Sequence, residues 1–262
     1  MQSGRPNLPQ PFVFDPVIGG NYGPGEFLVI SFRLIGKAIN FFPFMACALS
    51  LMSGREMGLG GRRVVLEGIV DGFAGEKGGE SLIFDAESSQ LTGSCRVFDF
   101  ECVRDWVQDK VGPHEGFRKV HLNFLTPFRY KVKGRLGVPL NFKIFINRLL
   151  DRLTFLSVHS PISFDLNREY FNSLAGDIRE VSELEWFEFR RETSSRYHKR
   201  PINLDGYVGG ITFSGNLAPV MPYLKIGEFL NVGKAASFGH GKYELTVLED
   251  GHNPLLMPIS GL

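Results

Sequence analysis

The chain contains, over residues 227–245, the stretch GEFLNVGKAASFGHGKYEL, and before it the glycine-rich run GYVGGITFSG at residues 206–215. Glycine has no side chain, so its backbone can approach a polyanion closely and turn N–H groups toward phosphate oxygens. Lys234 and Lys242 each follow a glycine and would place positive charge beside those amides. The alternative is a surface loop whose glycines only satisfy turn geometry. Composition alone does not decide between a phosphate-binding loop and a turn. The order of the residues is more specific than their composition.

That order differs from the common phosphate loops. A nucleotide-triphosphate loop needs a glycine five residues before its Gly-Lys pair and a Ser or Thr after it. Here those two positions hold Glu228 and Ala235. It is not a dinucleotide fingerprint either, because GHG at 239–241 is not followed by a third glycine that opens a helix. The chain continues instead into YELTVL at 243–248, whose alternation predicts a strand.

The second half of the chain predicts a β-α-β-β-α-β unit. Its first helix is indicated by apolar residues at helical spacing, which are Phe142, Phe145, Ile146, Leu149, Leu150, Leu153 and Leu156. The opposite face carries Lys143, Arg148 and Arg152, which we interpret as a solvated polar face rather than an RNA contact. The predicted elements are strand 119–131, helix 142–156, strands 184–193 and 208–213, helix 219–226 and strand 242–248. This order is ferredoxin-like, with one antiparallel sheet and both helices on one face, a layout shared with RNA-recognition modules.

The first half predicts a shorter set of elements. These are strands 11–15 and 27–35, helix 37–52, strand 63–70, and a turn at 72–80 that leads to a hairpin through Phe100. The PHEG sequence at 113–116 is the best linker candidate. The predicted domains are therefore 1–112 and 113–262.

Composition is that of an ordinary soluble domain pair. The chain has 262 residues, 43% of them hydrophobic, and a formal net charge of +1, so nucleic-acid binding would require local clustering of charge. Three cysteines, Cys47, Cys95 and Cys102, favour reduced thiols over a disulfide or zinc framework. The longest apolar run, 38–52, is too short to span a bilayer, and no signal sequence precedes it. We therefore expect a cytoplasmic protein without membrane contact.

The stretch at 227–243 resembles the C-terminal glycine-rich motif of the CRISPR-associated endoribonucleases that process precursor CRISPR RNA, which belong to the RAMP superfamily. Further passages resemble the family in the same order, namely PFVFDP at 11–16, YGPGE at 22–26, LIGKA at 34–38, GLG at 58–60, TPFR at 126–129 and RETSSRY at 191–197. The resemblance implies an α+β fold of tandem ferredoxin-like (RRM-like) domains. The first domain then lacks its opening strand and helix, because the chain is truncated or because they are absent. An exposed sheet edge there favours a homodimer.

The resemblance also implies the chemistry, which is metal-independent RNA cleavage by attack of a ribose 2′-oxygen on the adjacent phosphate. Such a reaction needs a general base, a proton donor for the leaving 5′-oxygen, and cations around the phosphorane. No metal or cofactor is expected. The implied substrate is CRISPR repeat RNA, and the product is a guide RNA passed to an effector complex. The alternatives are a non-catalytic RNA-binding subunit of such a complex and, more weakly, an unrelated α+β binding module.

The candidate catalytic residues are His198, inside the cationic run RYHKR, and His240, which lies between two glycines where the family more often has an apolar residue. For residues 196–200 a solvated hairpin tip is the alternative. We interpret His121 and His159 as structural histidines. The candidate RNA-binding residues are the cations Arg196, Lys199, Arg200, Lys234 and Lys242 and the glycines Gly209, Gly210, Gly215, Gly227, Gly233, Gly239 and Gly241.

Overall fold

A computed structural model gives the fold and describes residues 9–15, 21–54, 63–72, 81–93, 95–111, 118–136, 139–160, 166–181, 184–187, 190–191, 202–203 and 205–248. The strands are β1 (Phe12–Phe14), β2 (Phe32–Leu34), β3 (Gly68–Asp71), β4 (Ser81–Asp85), β5 (Gln90–Leu91), β6 (Arg118–Phe128), β7 (Arg179–Glu180), β8 (Glu185–Phe187), β9 (Arg190–Arg191), β10 (Ile202–Asn203), β11 (Gly206–Gly215) and β12 (Tyr243–Leu248). The α-helices are α1 (Phe42–Met52), α2 (Phe100–Val111), α3 (Phe142–Ser157), α4 (Arg168–Leu174) and α5 (Met221–Leu230). Two compact units result, a larger one of residues 1–33 and 100–262 and a smaller one of residues 34–99.

The main sheet of the larger unit has the order β12-β6-β11, with β7 and β8 both paired to the other edge of β11. All these pairings are antiparallel. Helices α3 and α4 lie between β6 and β7 in the chain, and α5 lies between β11 and β12. This is the ferredoxin-like β-α-β-β-α-β order predicted from the sequence. The predicted helix 142–156 and the predicted final strand are both present.

The core lies between this sheet and its helices. Every second residue of β6 is buried, beginning with Val120, Leu122 and Phe124, because successive side chains of a strand point to opposite faces. The apolar stripe of α3 meets them, and Phe145 packs edge-to-face on Phe124 with ring centroids 6.0 Å apart. The apolar pattern of the sequence and the packing of the side chains therefore agree for this half of the chain.

Asn141 caps the N-terminus of α3, since its Oδ1 accepts a hydrogen bond from the Ile144 backbone N–H at 2.8 Å. We expect Asn141→Ala to lower the free energy of unfolding by about 1 kcal/mol, because one orphan N–H of the first turn loses its acceptor. Urea denaturation of the two proteins measures the difference. Asn141→Asp keeps an acceptor and is the matched control, expected to stay within a few tenths of a kcal/mol of the parent. An equal loss in both variants would contradict the capping role.

The smaller unit contains α1 and a three-stranded antiparallel sheet of order β3-β4-β5. The chain is therefore an α+β protein built on antiparallel sheets, as predicted. The predicted absence of an opening strand and helix in the first domain stays a prediction. The predicted domain boundary falls on residues 112–117, which lie outside the described part of the chain, and it also stays a prediction.

Several elements differ from the sequence prediction. The predicted hairpin ends earlier, at β5, and a helix, α2, begins at Phe100, where no helix was predicted. The apolar run 27–35 is a strand only at β2, because a strand needs a neighbour to pair with and β2 pairs with the short β1. The predicted strand 184–193 is divided between β8 and β9 in the described residues. Gly227 was placed at the start of a loop and lies inside α5 instead.

None of the described helices is both long and apolar enough to cross a membrane.

Candidate functional site

The segment that joins α5 to β12, residues 231–242, is called the glycine crossover below. Its path requires positive backbone φ angles at Asn231 (54°), Gly233 (95°), Ala235 (61°), Gly239 (86°) and Gly241 (67°). Residues without a Cβ adopt such angles at least cost. The turns of the crossover therefore account for its three glycines, whereas Asn231 and Ala235 adopt such angles despite their Cβ atoms.

Backbone hydrogen bonds hold the glycine crossover against the end of β6. The N–H of Lys234 donates to the Arg129 carbonyl at 2.8 Å, and the N–H of Gly241 donates to the Pro127 carbonyl at 3.1 Å. The Thr126 hydroxyl donates to the Gly239 carbonyl at 2.7 Å and accepts the Lys242 N–H at 2.9 Å. These amide donors are occupied inside the protein. The N–H groups of Lys234, Gly241 and Lys242 are therefore not available to a phosphate.

Close packing explains two glycines of the crossover, Gly233 and Gly241, and one glycine of α5, Gly227. A Cβ on Gly241 would lie 1.8 Å from the Val232 carbonyl oxygen, and one on Gly233 would lie 2.5 Å from the Arg129 carbonyl oxygen. A Cβ on Gly227, in α5, would lie 2.3 Å from the Tyr243 hydroxyl. Turn geometry and packing thus require glycine at these positions, whether or not RNA also approaches them.

The glycines of β11 have different surroundings. A Cβ on Gly210 would lie 2.4 Å from the His121 ring, and one on Gly215 would lie 3.0 Å from the Asp177 carbonyl oxygen. Gly209 has a φ of 91°, and no atom of the described residues lies within 4 Å of its Cβ position. Among the seven candidate glycines, Gly209 is therefore restricted by its backbone angle rather than by contact.

The two candidate lysines of the glycine crossover differ. Lys234 is exposed, whereas Lys242 is half-buried and its Nζ lies 3.1 Å from Asp15 Oδ2. Asp15 also forms an ion pair with Arg33, whose Nη1 donates to the Phe229 carbonyl at 2.9 Å. Burial lowers the pKa of Arg33, and Asp15 opposes that effect. Lys242 is thus part of an internal ion cluster, and Lys234 is available to a ligand.

His240 is half-buried in the glycine crossover, with its backbone N–H donating to the Ala235 carbonyl at 3.3 Å. Its ring Nδ1 is buried and has no hydrogen-bond partner among the described residues. Burial lowers the pKa of His240 below its ordinary value, and the charge of Arg129 lowers it further, against a raising effect of a backbone hydrogen bond with Pro127. At neutral pH the uncharged form of the imidazole is therefore favoured.

The second candidate histidine, His198, and the two histidines predicted to be structural, His121 and His159, are placed as follows. His198 and its cationic neighbours Arg196, Lys199 and Arg200 lie outside the described residues. His159 Nε2 lies 2.9 Å from the Pro9 carbonyl oxygen, which supports a structural role. His121 Nδ1 lies 3.0 Å from the Thr212 hydroxyl, and burial lowers the pKa of His121.

No group of three or more His, Cys, Asp or Glu side chains among the described residues is arranged to hold a metal ion.

Residues 122–243, from β6 to the first residue of β12, match the family model of the CRISPR-associated endoribonuclease Cas6. The match covers 122 of the 262 residues of the chain. The match includes α3, α5 and the whole glycine crossover, so the resemblance identified in the sequence is confirmed. Residues 1–95 match a second family model, which is described as an N-terminal domain. None of the curated proteins matches the chain.

Solved Cas6 structures share the fold. A Cas6 product complex has a TM-score of 0.53 at 17% identity, covering 92% of this chain and 84% of that chain. A Cas6 substrate mimic complex has a TM-score of 0.51 at 18% identity, covering 91% and 86%. Thermus thermophilus Cas6 has a TM-score of 0.51 at 16% identity, covering 92% and 81%. These structural neighbours are tandem ferredoxin-like folds, and at such identities the likeness concerns the fold.

The sequence did not predict the environments of three buried or half-buried charged residues, which are Arg152, Asp15 and Arg33. It placed Arg152 on a solvated face, but the side chain is only 8% exposed and its Nε donates to the Leu230 carbonyl at 3.2 Å. Burial lowers the pKa of Arg152 to about 10. It also gave no role to Asp15 and Arg33, because their partners lie about two hundred residues away in sequence. The position of Arg152 beside the apolar stripe, three residues after Leu149, was the available signal.

Proposed function

We propose that this chain binds CRISPR repeat RNA and cleaves precursor CRISPR RNA without a metal ion, producing guide RNAs in the cytoplasm. The observation that carries the proposal is a half-buried His240 inside the glycine crossover, in a segment that matches the Cas6 endoribonuclease model. Burial lowers the pKa of this histidine, which favours its uncharged form at neutral pH. Lys234, exposed six residues earlier, supplies positive charge to the same segment. A base and a cation are two of the three groups that the reaction requires.

The proposed step is an in-line displacement at one phosphate. A general base removes the proton of the ribose 2′-hydroxyl, the 2′-oxygen forms a bond to phosphorus, and the bond from phosphorus to the 5′-oxygen breaks. A general acid gives a proton to that 5′-oxygen. The products are a 2′,3′-cyclic phosphate and a 5′-hydroxyl, so no external water or oxidant is needed. His240 and His198 are the proposed acid–base residues.

The direct test incubates the full chain with the repeat RNA encoded next to its gene, in EDTA. We expect one cut per repeat and a fragment that ends in a 2′,3′-cyclic phosphate, which acid treatment opens. Binding without cleavage would instead favour the non-catalytic RNA-binding subunit of an effector complex. Cleavage that EDTA abolishes would contradict the metal-independent mechanism.

Phosphate binding by the glycine crossover is proposed to depend on Lys234 more than on Lys242. We expect Lys234→Ala to lower RNA affinity and to reduce the slope of log affinity against log salt by about 0.7, the value for one single-strand phosphate contact. Lys242→Ala should change the slope less, because Lys242 is already paired with Asp15. Fluorescence anisotropy across a salt series measures both.

Lys143→Ala is the matched control for this comparison, since Lys143 is an exposed lysine on α3 that we interpret as solvated. Its salt slope should equal that of the parent. If Lys234→Ala also left affinity and slope unchanged, the glycine crossover would not belong to the RNA site.

The proposal also includes two partners. The chain passes its guide RNA to an effector complex, and it forms a dimer through a sheet edge of the first domain. Light scattering of the purified chain tests the dimer.

A further inference from the structure

Phe238 is an exposed aromatic side chain at the centre of the glycine crossover. It is 68% exposed, whereas the two residues before it, Ala236 and Ser237, are 3% and 8% exposed. Isolated exposed apolar residues are common on protein surfaces. Exposure alone is therefore no evidence that Phe238 has a role. The geometry of the surrounding turn provides that evidence.

The turn that carries Phe238 is fixed on both sides. The N–H of Phe238 donates to the Ala235 carbonyl at 2.9 Å, and the N–H of Gly239 donates to the Ala236 carbonyl at 3.0 Å. Thr126 on β6 holds the Gly239 carbonyl, and the Ser237 hydroxyl donates to the Gln10 carbonyl at 3.4 Å. A short 3₁₀ turn with left-handed residues at both ends thus presents the ring from a backbone that is already ordered. Little conformational entropy would be lost when a ligand contacts the ring.

The same turn carries the proposed acid–base residue. The Ala235 carbonyl accepts hydrogen bonds from the N–H groups of both Phe238 and His240, so their backbones share one acceptor. Lys234 is the residue directly before Ala235 and is exposed. One seven-residue turn, residues 234–240, therefore carries an ammonium group, an aromatic ring and an imidazole. A nucleotide offers the matching set, namely a base with a π-face, a ribose hydroxyl and a phosphate.

We propose that Phe238 is a stacking platform for one unpaired nucleobase of the repeat RNA, next to the linkage on which His240 acts. This inference rests on the proposed function, since it assumes that the glycine crossover contacts repeat RNA. Phe238 is a positioning residue here, because its ring orients the nucleotide and takes no part in proton transfer. Base–aromatic stacking is sequence-tolerant, so the ring fixes a position along the strand rather than a base identity.

The test measures binding of the full chain to its neighbouring repeat RNA, made non-cleavable by a 2′-deoxy sugar at the cut. We expect Phe238→Ala to weaken binding roughly 5- to 150-fold, which is the ~1–3 kcal/mol of one base stack converted at 1.4 kcal/mol per tenfold. The salt slope should not change, because no phosphate contact is lost. Phe238→Trp should keep the parent affinity within about threefold, since indole also stacks. Phe238→Leu should behave like the alanine variant.

A panel of RNAs that each lack one base near the cut identifies the stacked nucleotide. Removal of that base should weaken binding to the parent chain but not to Phe238→Ala, as expected when the two partners interact directly. The stacking role would be overturned if Phe238→Ala bound the RNA as tightly as the parent. It would also be overturned if Phe238→Leu bound as tightly as the parent, because an apolar side chain without a ring would then be sufficient, as in a protein or packing contact. A parent chain that binds no repeat RNA would instead refute the proposed function, and the two failures are thereby distinct.

Discussion

His240→Ala is expected to slow cleavage of repeat RNA by about 10²- to 10⁴-fold, the usual contribution of one general acid–base group. The uncharged form of the imidazole is favoured at neutral pH because burial and Arg129 both lower its pKa, so it is ready to accept a proton. Single-turnover rates with saturating protein separate this chemical step from binding. RNA affinity should change little, because an uncharged imidazole makes no ion pair with phosphate.

The pH dependence gives this prediction a second measurement. If His240 is the general base, the cleavage rate stays level around neutral pH and falls as the pH is lowered through its depressed pKa, which is below the ordinary 6.5. That falling limb should be absent from the residual activity of His240→Ala. His198→Ala is the parallel variant, since one of the two histidines should be needed. If both variants cleave at the parent rate, the base lies elsewhere, and His121 or Tyr197 is the next residue to replace.

Periodic sequence patterns predicted the half of the fold that packs on β6. Helix α3 has an apolar stripe at helical spacing, and that stripe is buried along its length. The strand β12 alternates polar and apolar residues beside a glycine-rich turn, and both features appear where predicted. Such patterns are local, so a single sequence contains them in full.

Contacts between distant residues could not be predicted in the same way. The pairing of Lys242 with Asp15, 227 residues apart, changes a predicted phosphate ligand into part of an internal ion cluster. Arg152 is buried where α5 ends, and its partner there, the Leu230 carbonyl, lies 78 residues later in the sequence. The glycine-rich sequence left phosphate approach and turn geometry open, and the distances around Gly233 and Gly241 explain both glycines by packing.

Gly241→Ala is expected to lower the free energy of unfolding by about 3 kcal/mol or more. Its φ of 67° costs an L-residue roughly 1–2 kcal/mol, and the new Cβ would lie 1.8 Å from the Val232 carbonyl oxygen. That oxygen belongs to backbone that is itself bonded to Gly241, because the Val232 N–H donates to the Gly241 carbonyl at 3.0 Å. The clash can therefore be relieved only by moving the glycine crossover, and such overpacking costs about 1–3 kcal/mol more. Urea denaturation measures the sum.

Gly209→Ala is the matched control, because Gly209 has a φ of 91° but no atom of the described part of the chain within 4 Å of its Cβ position. It should lose only the backbone contribution, about 1–2 kcal/mol, and the difference between the two variants isolates the clash. If Gly241→Ala were as stable as Gly209→Ala, the glycine crossover would be able to relax at little cost. Glycine at 241 would then need another explanation, and close approach of the RNA backbone would be the one that remains. A large difference would instead assign this glycine to the fold, and would leave Lys234, Phe238 and His240 as the residues of the crossover that act on RNA.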